Sequence, residues 1–473
     1  MKLRLTQSRL RAQLSAMILT LLLCLSLLPA GASGVPELVV SAFTNGEVGG
    51  GVDQQARQLS KPFDVSLYKE FPVVAVYEPA ARHAGDGADQ QALYLSTFFD
   101  ISLSKEFINM GAYTEALMKL QPSHGLPELA CDNPQYGVGA LDAVKYAVIG
   151  ANMKELAMVY PTVKADAVLK DADTTGVDPA YAPYVACALD LGMITPAQAR
   201  MVAVNSQADI AFTNSLLIAA AEVNGVARNY LGYSDDPDIY AKFINAFEAF
   251  TLFDDPVLSA IGSEAVMRQV TTGYSLKSDR YNARFLPELT LVYGHSSAKH
   301  AAQVIGLLRS EGVVAKVQFE PKVSIYQYLA EWGDPGEPTP TYAVKTVNEN
   351  LMLAYATEYD MVLEFADQAG KEKIDALIVN YAKKNSGEEG KAILAGSWWQ
   401  PLYYSRVEMG GDYHMLYDNI ITNGSYSLHP FCLAEDKAEV MARFLAIDPA
   451  MDIVQEPIWC NAAFHRYLNG LSE

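Results

Sequence analysis

The chain of 473 residues is poor in cysteine, with five, in tryptophan, with four, and in histidine, with seven. It is also short of positive charge, with 35 Lys and Arg against 55 Asp and Glu and a formal charge of −20. A surface of that sign repels a phosphate backbone, so nucleic acid is excluded as a natural partner. Beyond the N-terminus there is no apolar run long enough to cross a bilayer; Leu216 to Val223 is the greasiest later stretch and has only the length of a core helix. No GxSxG, no HExxH and no cysteine in a protease-like setting occurs, which removes the commonest nucleophile and zinc signatures. Half the residues are hydrophobic and 19% are charged. That composition belongs to a globular protein and not to a disordered or fibrous one.

At the N-terminus, Lys2, Arg4, Arg9 and Arg11 precede an apolar run from Leu14 to Leu28, followed by Pro29, Ala30, Gly31, Ala32 and Ser33. A basic head, a short apolar middle and small residues at minus three and minus one predict a secretory signal peptide over residues 1–32, cleaved after Ala32. A membrane helix would need a longer run and a basic flank beyond it. Cys24 would leave with the peptide. The mature chain would then hold 31 basic and 55 acidic residues, a charge of −24. It is expected in the periplasm, at the cell surface or outside the cell, with no transmembrane segment. Four cysteines would remain: Cys131, Cys187, Cys432 and Cys460. An oxidising compartment allows two disulfides. Pairing Cys131 with Cys187 and Cys432 with Cys460 keeps each bridge within one expected domain, the alternative being four buried thiols.

Three regions follow the leader. Residues 33–125 hold a tandem duplication in which GVDQQARQLSKPFDVSLYKEF at 51–71 matches GADQQALYLSTFFDISLSKEF at 87–107, with 14 of 21 positions identical. Phe63, Val65 and Leu67 alternate with polar residues, as do Phe99, Ile101 and Leu103, and this spacing predicts a half-buried strand in each copy. Residues 126–286 are Ala-rich and helical in pattern, with Leu141, Val144, Ala147 and Val148 marking one face. Residues 287–473 alternate strands with amphipathic helices: Leu289–Tyr293, Ser296–Ser310 and Val313–Phe319 form one unit. Met361–Phe365, Lys371–Lys384 and Trp398–Val407 form a second, and Tyr426–Cys432, Glu435–Ala446 and Ile453–Cys460 a third. Three such units predict parallel pairing by right-handed crossovers, hence an α+β fold with C-terminal ferredoxin-like βαβ repeats.

Within the helical region, Leu169–Gly225 opens on Asp171 and Asp173, continues with the aromatic helix start YAPYVACALDLGMI, turns at Gly192, Met193 and Ile194, and enters a second helix at Phe212 and Thr213. In this order of features the segment resembles the S-layer homology modules of bacterial surface proteins. A weaker second copy begins at Tyr233 with YSDDPDIYAKFINAFEAF. The resemblance implies paired helices and attachment to an anionic wall polymer. The family's Thr-Arg-Ala-Glu run is here Thr213, Asn214, Ser215 and Leu216, so the cation that grips the polymer is missing.

Candidate chemistry is sparse. Asp171, Asp173, Thr175 and Gly176 begin like a calcium loop, but the closing position is Ala182; a looser calcium site could use Asp171, Asp173 and Asp178, or Asp235, Asp236 and Asp238. Capping of helix N–H groups explains the same residues. His295, Ser296, Ser297 and Lys299 stand between a strand and a helix, where an anion is favoured, while the spacing of five between His295 and His300 argues against a two-histidine zinc site. Trp398, Trp399, Tyr403 and Tyr404, with Glu408, Asp412, His414 and Asp418 near them, have the makings of a glycan-binding platform. No cofactor other than possible calcium is expected. The functional expectation is an exported, non-catalytic cell-envelope protein that attaches to wall polymer and presents a partner- or glycan-binding surface. The alternatives are a wall-glycan hydrolase using Glu408, Asp412 or Asp418 and a periplasmic solute-binding protein.

Overall fold

A computed structural model of the chain describes residues 88–121, 129, 131, 133–204, 207–381 and 402–469. The signal peptide at 1–32, the first repeat at 51–71, Trp398 and Trp399 lie outside the described residues. Among the described residues eight helices come first: α1 (Ala88–Phe99), α2 (Met110–Lys119), α3 (Ala140–Gly150), α4 (Lys154–Met158), α5 (Thr162–Asp171), α6 (Ala182–Asp190), α7 (Pro196–Val204) and α8 (Ile210–Val223). They share one core, which Tyr94, Tyr113, Leu117, Val144, Val148 and Leu217 fill. Asn109 and Asp209 cap α2 and α8 by accepting from the N–H groups of Ala112 and Phe212.

The strand expected at Phe99, Ile101 and Leu103 does not form: the second repeat copy is helical over Ala88–Phe99 and irregular from Asp100 onward. Tyr94, Leu95, Phe98 and Phe99 also carry helical spacing, and α1 turns Tyr94 and Leu95 fully into the core. Asp100 ends it with φ +52°. Ile101 and Leu103 then pack onto the same helical core, with no partner strand among the described residues. In the segment at 169–225 the chain forms the end of α5, then α6, α7 and α8, with Gly192 at φ +69° after α6.

From residue 232 onward the chain builds a barrel. Its strands are β1 (Gly232–Tyr233), β2 (Gly273–Ser278), β3 (Thr290–His295), β4 (Ala315–Tyr328), β5 (Tyr342–Asn348), β6 (Leu351–Phe365), β7 (Leu402–Ser405), β8 (Tyr413–Asn423), β9 (Tyr426–His429), β10 (Phe431–Leu433) and β11 (Ile453–Asn461). The order β4-β2-β9-β8-β11-β7-β3-β6 closes through β6 back onto β4, and every pairing is antiparallel. Strands β1, β5 and β10 are additions to β4, β6 and β8.

The expected parallel, ferredoxin-like βαβ repeats are thereby overturned. The strands and helices of those units are present, but β6 lies antiparallel between β3 and β4, which the helix α11 (Ala298–Ser310) connects. A closed antiparallel barrel leaves no edge in its ring, and it satisfies the 14 and 15 residues of β4 and β6 along nearly their whole length.

Further helices coat the outside: α9 (Ile239–Ala249), α10 (Pro256–Met267), α12 (Gln368–Tyr381) and α13 (Lys437–Leu445), while α14 (Ala462–Leu468) packs against inward-facing residues of the barrel. One outer core joins α9, α11 and α12 to the outward residues Tyr293, Phe319, Tyr359 and Met361. Another joins α10 and α13 to Tyr274, Leu276, Ile421 and Leu428. The strict alternation of β4 decides which face is which: Val317, Phe319, Val323 and Ile325 point to the helices, and Gln318, Glu320, Lys322 and Ser324 point inward.

Candidate functional site

Because the outer face takes the apolar residues, the barrel interior inherits the polar ones. Strand register brings them level: Glu320 lies opposite Asp360, Lys322 opposite Glu358, and Lys277 opposite both Lys322 on β4 and Ser427 on β9. Asp360 accepts from Lys277 at 2.5 Å and from Lys322 at 2.6 Å. Burial alone would raise the Asp360 carboxyl, but the two ammonium groups override it and hold the group well below the usual carboxylate range. Glu320 and Glu358 move the other way, because burial dominates and pushes both carboxyls up, against the pull of Lys277 and Lys322. Glu320 accepts from the Ala283 N–H at 2.8 Å, and Glu358 from the Ser324 hydroxyl at 2.6 Å. Arg406 pairs with Glu456 across the same interior.

On β8 and β9 a second group forms. His429 Nδ1 lies 2.9 Å from Asp418 Oδ2, and His429 Nε2 lies 2.7 Å from the Ser427 hydroxyl. Burial would raise Asp418, but His429 and Arg406 bring it below its ordinary value. The hairpin turn at Gly424, φ +60°, sets Ile421 opposite Leu428, and the alternation then aims Ser427 and His429 inward.

These side chains surround a cavity of about 790 Å³ whose wall includes Lys277, Glu320, Arg406, Ser427, His429 and Glu456. Val292, Val362, Phe285 and Tyr404 supply an apolar side, and α1 adds Thr97 and Phe98. Leu402, Leu416, Ile458 and Cys460 make an apolar group with Phe464 and Leu468 of α14 packed against it.

The expected sites are redistributed by the fold. Tyr403 and Tyr404 are consecutive on β7 and face opposite ways: Tyr404 reaches the cavity, and Tyr403 packs in the outer core near Tyr413, ring centres 6.1 Å apart. Glu408 and Asp412 lie exposed in the β7–β8 loop. Asp418 instead enters the barrel with His429, so among the described residues Tyr403, Tyr404, Glu408, Asp412 and Asp418 do not gather into one platform.

His295 and His300 do meet, with ring nitrogens 3.2 Å apart, because one ends β3 and the other lies on the first turn of α11. Burial lowers His295 to about 3. Ser297 heads α11 but donates its N–H to His295 at 3.0 Å, and Lys299 is exposed, so the backbone donor expected for an anion is used internally.

Asp171 ends α5, Asp173 has φ +53°, and Asp178 caps the Ala180 N–H. Among the described residues no group of three or more His, Cys, Asp or Glu is placed to hold a metal ion. Cys131, Cys187, Cys432 and Cys460 are free thiols. Cys432 belongs to the outer core with Leu428, whereas Cys460 faces the barrel interior with Ile458, so the pairing of these two is blocked by the sheet between them.

Among the described residues no helix is long and apolar enough to cross a membrane. A comparison of the chain with protein families, curated proteins and solved structures finds no match. The class assigned to it therefore rests on geometry: a closed eight-stranded antiparallel barrel with a polar chamber, preceded by a helical region.

Of the residues singled out in the sequence, Asp418 and Tyr404 belong to this chamber. A usable signal lay in KVQFEPKVSIY at 316–326, where polar residues, among them the charged Lys316, Glu320 and Lys322, recur at every second position of a strand whose other face is apolar. Ser427 and His429, two apart in strand sequence, carried a similar one.

Proposed function

We propose that the barrel is a binding chamber for a small polar solute, in a chain that its leader sequence directs out of the cytosol. The observation that carries this reading is the cavity of about 790 Å³ inside the ring of strands, walled by fixed charges of both signs. Eight-stranded barrels either fill their interior with side chains or hold one small ligand, and this volume falls within the usual range of ligand sites. The lining selects the ligand's chemistry. Arg406, Glu456, Glu320 and Lys277 offer partners to an anionic group and to hydrogen-bond donors, and Val292, Val362 and Phe285 take an apolar body. A small organic acid or zwitterion with a hydrocarbon portion fits both halves.

Attachment to wall polymer through residues 169–225 draws no support from the geometry there, since Thr213 and Asn214 are buried in the helical core. Glycan hydrolysis by Glu408 and Asp412 is likewise unsupported, because both lie outside the chamber.

Thermal unfolding of the purified mature protein with a panel of amino acids, organic acids and sugars tests the reading. A solute of the expected class at about 100 times its Kd stabilises the fold by about 2.7 kcal/mol. Arg406→Ala should abolish that shift. A melting temperature indifferent to every member of the panel would sink the proposal.

A further inference from the structure

Behind the polar lining stands an arrangement that a binding chamber alone does not need. Asp418 is buried beneath the wall, His429 lies against it with its imidazole reaching the cavity, and Ser427 is half-buried on the lining itself. The carboxylate of Asp418 can only accept from His429 Nδ1, which places the imidazole proton there and leaves Nε2 free to accept from the Ser427 hydroxyl at 2.7 Å. The geometry points to Ser427 as the nucleophile of an esterase activity inside the barrel, with His429 as its base and Asp418 as the residue that positions the imidazole. The order along the strand and the fold differ from known hydrolases, but such a constellation is defined by roles and distances and not by sequence position.

The chemistry closes on these residues and water. Ser427 Oγ bonds to the acyl carbon while its proton passes to His429 Nε2 and the carbonyl electron pair moves onto oxygen. That oxygen's negative charge forms in a chamber where Lys277, the cross-strand partner of Ser427, carries an ammonium with donors beyond the one given to Asp360. Collapse breaks the bond to the leaving alcohol, which takes the proton from His429. Water, deprotonated by His429, then cleaves the acyl-serine, and the carboxylic acid leaves with the chain restored. The substrate class is a small carboxylic ester whose acyl part fits against Val292, Val362 and Phe285, on the side of the cavity that is apolar.

This inference rests on the chamber being open to small molecules, and the test separates the two. Full-length mature protein is treated with a fluorophosphonate probe, whose phosphorus bonds to an activated serine with loss of fluoride, and is assayed separately with p-nitrophenyl butyrate. The expected result is a single adduct mapped to the peptide bearing Ser427, and hydrolysis that falls by about 10²-fold or more in Ser427→Ala and in His429→Gln. Asp418→Asn should lower kcat with little change in KM, which a merely structural loss would not do. Ser427→Ala removes one hydroxyl from a half-buried position, so its melting temperature serves as the control for folding. A wild-type protein that takes no adduct and hydrolyses the ester no faster than Ser427→Ala overturns the activity, even where solutes still raise its melting temperature. An adduct on Ser427 without any solute-dependent shift would uphold the activity and count against the solute-binding reading.

Discussion

At the scale of single residues, the barrel interior is governed by Asp360. One carboxylate faces two ammonium groups, from Lys277 and Lys322, and all three are buried or nearly so. Removing it leaves two cations side by side, so Asp360→Asn should cost about 3–5 kcal/mol in urea unfolding at neutral pH. The depressed carboxyl binds its proton only at a pH well under the unfolded value of about 3.9. Its contribution is therefore complete above the unfolded value of about 3.9 and is lost progressively as the pH falls from there toward the depressed value.

Lys371 shows the opposite case. It is buried on α12, donates to the Glu288 carbonyl at 3.1 Å and the Ser405 hydroxyl at 2.9 Å, and is lowered by burial to about 8. Between that value and about 10.4 the unfolded chain binds more protons than the folded one, so stability should climb with pH by about 2–3 kcal/mol across that window. Lys371→Met should remove the climb. Denaturation curves of both proteins from pH 7.5 to 10.5 measure it, and identical slopes would count against the assignment.

At the scale of elements, helix packing against the barrel depends on a few close approaches. Gly262 in the middle of α10 faces the ring of Tyr274 on β2, and a Cβ there would collide with the ring. Gly262→Ala should cost about 1–3 kcal/mol by forcing the helix outward or Tyr274 off its rotamer. On the other flank, Phe243 of α9 makes edge-on contacts with Phe319 and Tyr359, ring centres 5.3 Å away in each case. Its truncation to Ala should cost about 3–5 kcal/mol. Guanidinium denaturation checks both, and a change under about 0.5 kcal/mol in either would show that the helix does not pack as described.

At the scale of the whole molecule, a buried charge helps to join the helical region to the barrel. Glu364 at the end of β6 accepts from Arg228 at 2.8 Å, Lys316 at 2.9 Å and the Leu286 N–H at 2.9 Å. Arg228 also lies over the ring of Tyr94 in α1, 4.0 Å from its centre. The same α1 lends Thr97 and Phe98 to the cavity wall, so this contact fixes one side of the chamber. Arg228→Ala should destabilise the protein by about 3 kcal/mol. Hydrogen exchange should speed up in α1 more than in α9, which has no part in the contact.

What the sequence determined by itself is local: the helices over the Ala-rich stretch, and the strands and helices after residue 287. These are written in periodicity, and periodicity needs only neighbours in sequence. Even there, the alternation of Phe99, Ile101 and Leu103 reads as a strand, whereas the chain ends a helix at Phe99 and runs on irregularly, with Ile101 and Leu103 packed onto the helical core. The ring closure, the antiparallel insertion of β6 between β3 and β4, and the convergence of Asp360 with two lysines depend on register between strands tens of residues apart. The union of Asp418 with His429 depends on the nearer pairing of β8 with β9 across one hairpin. Alternation tells which residues share a face of a strand. It cannot say whether that face meets solvent or the inside of a barrel, and here closure turned a polar face that reads as a surface into the wall of a chamber.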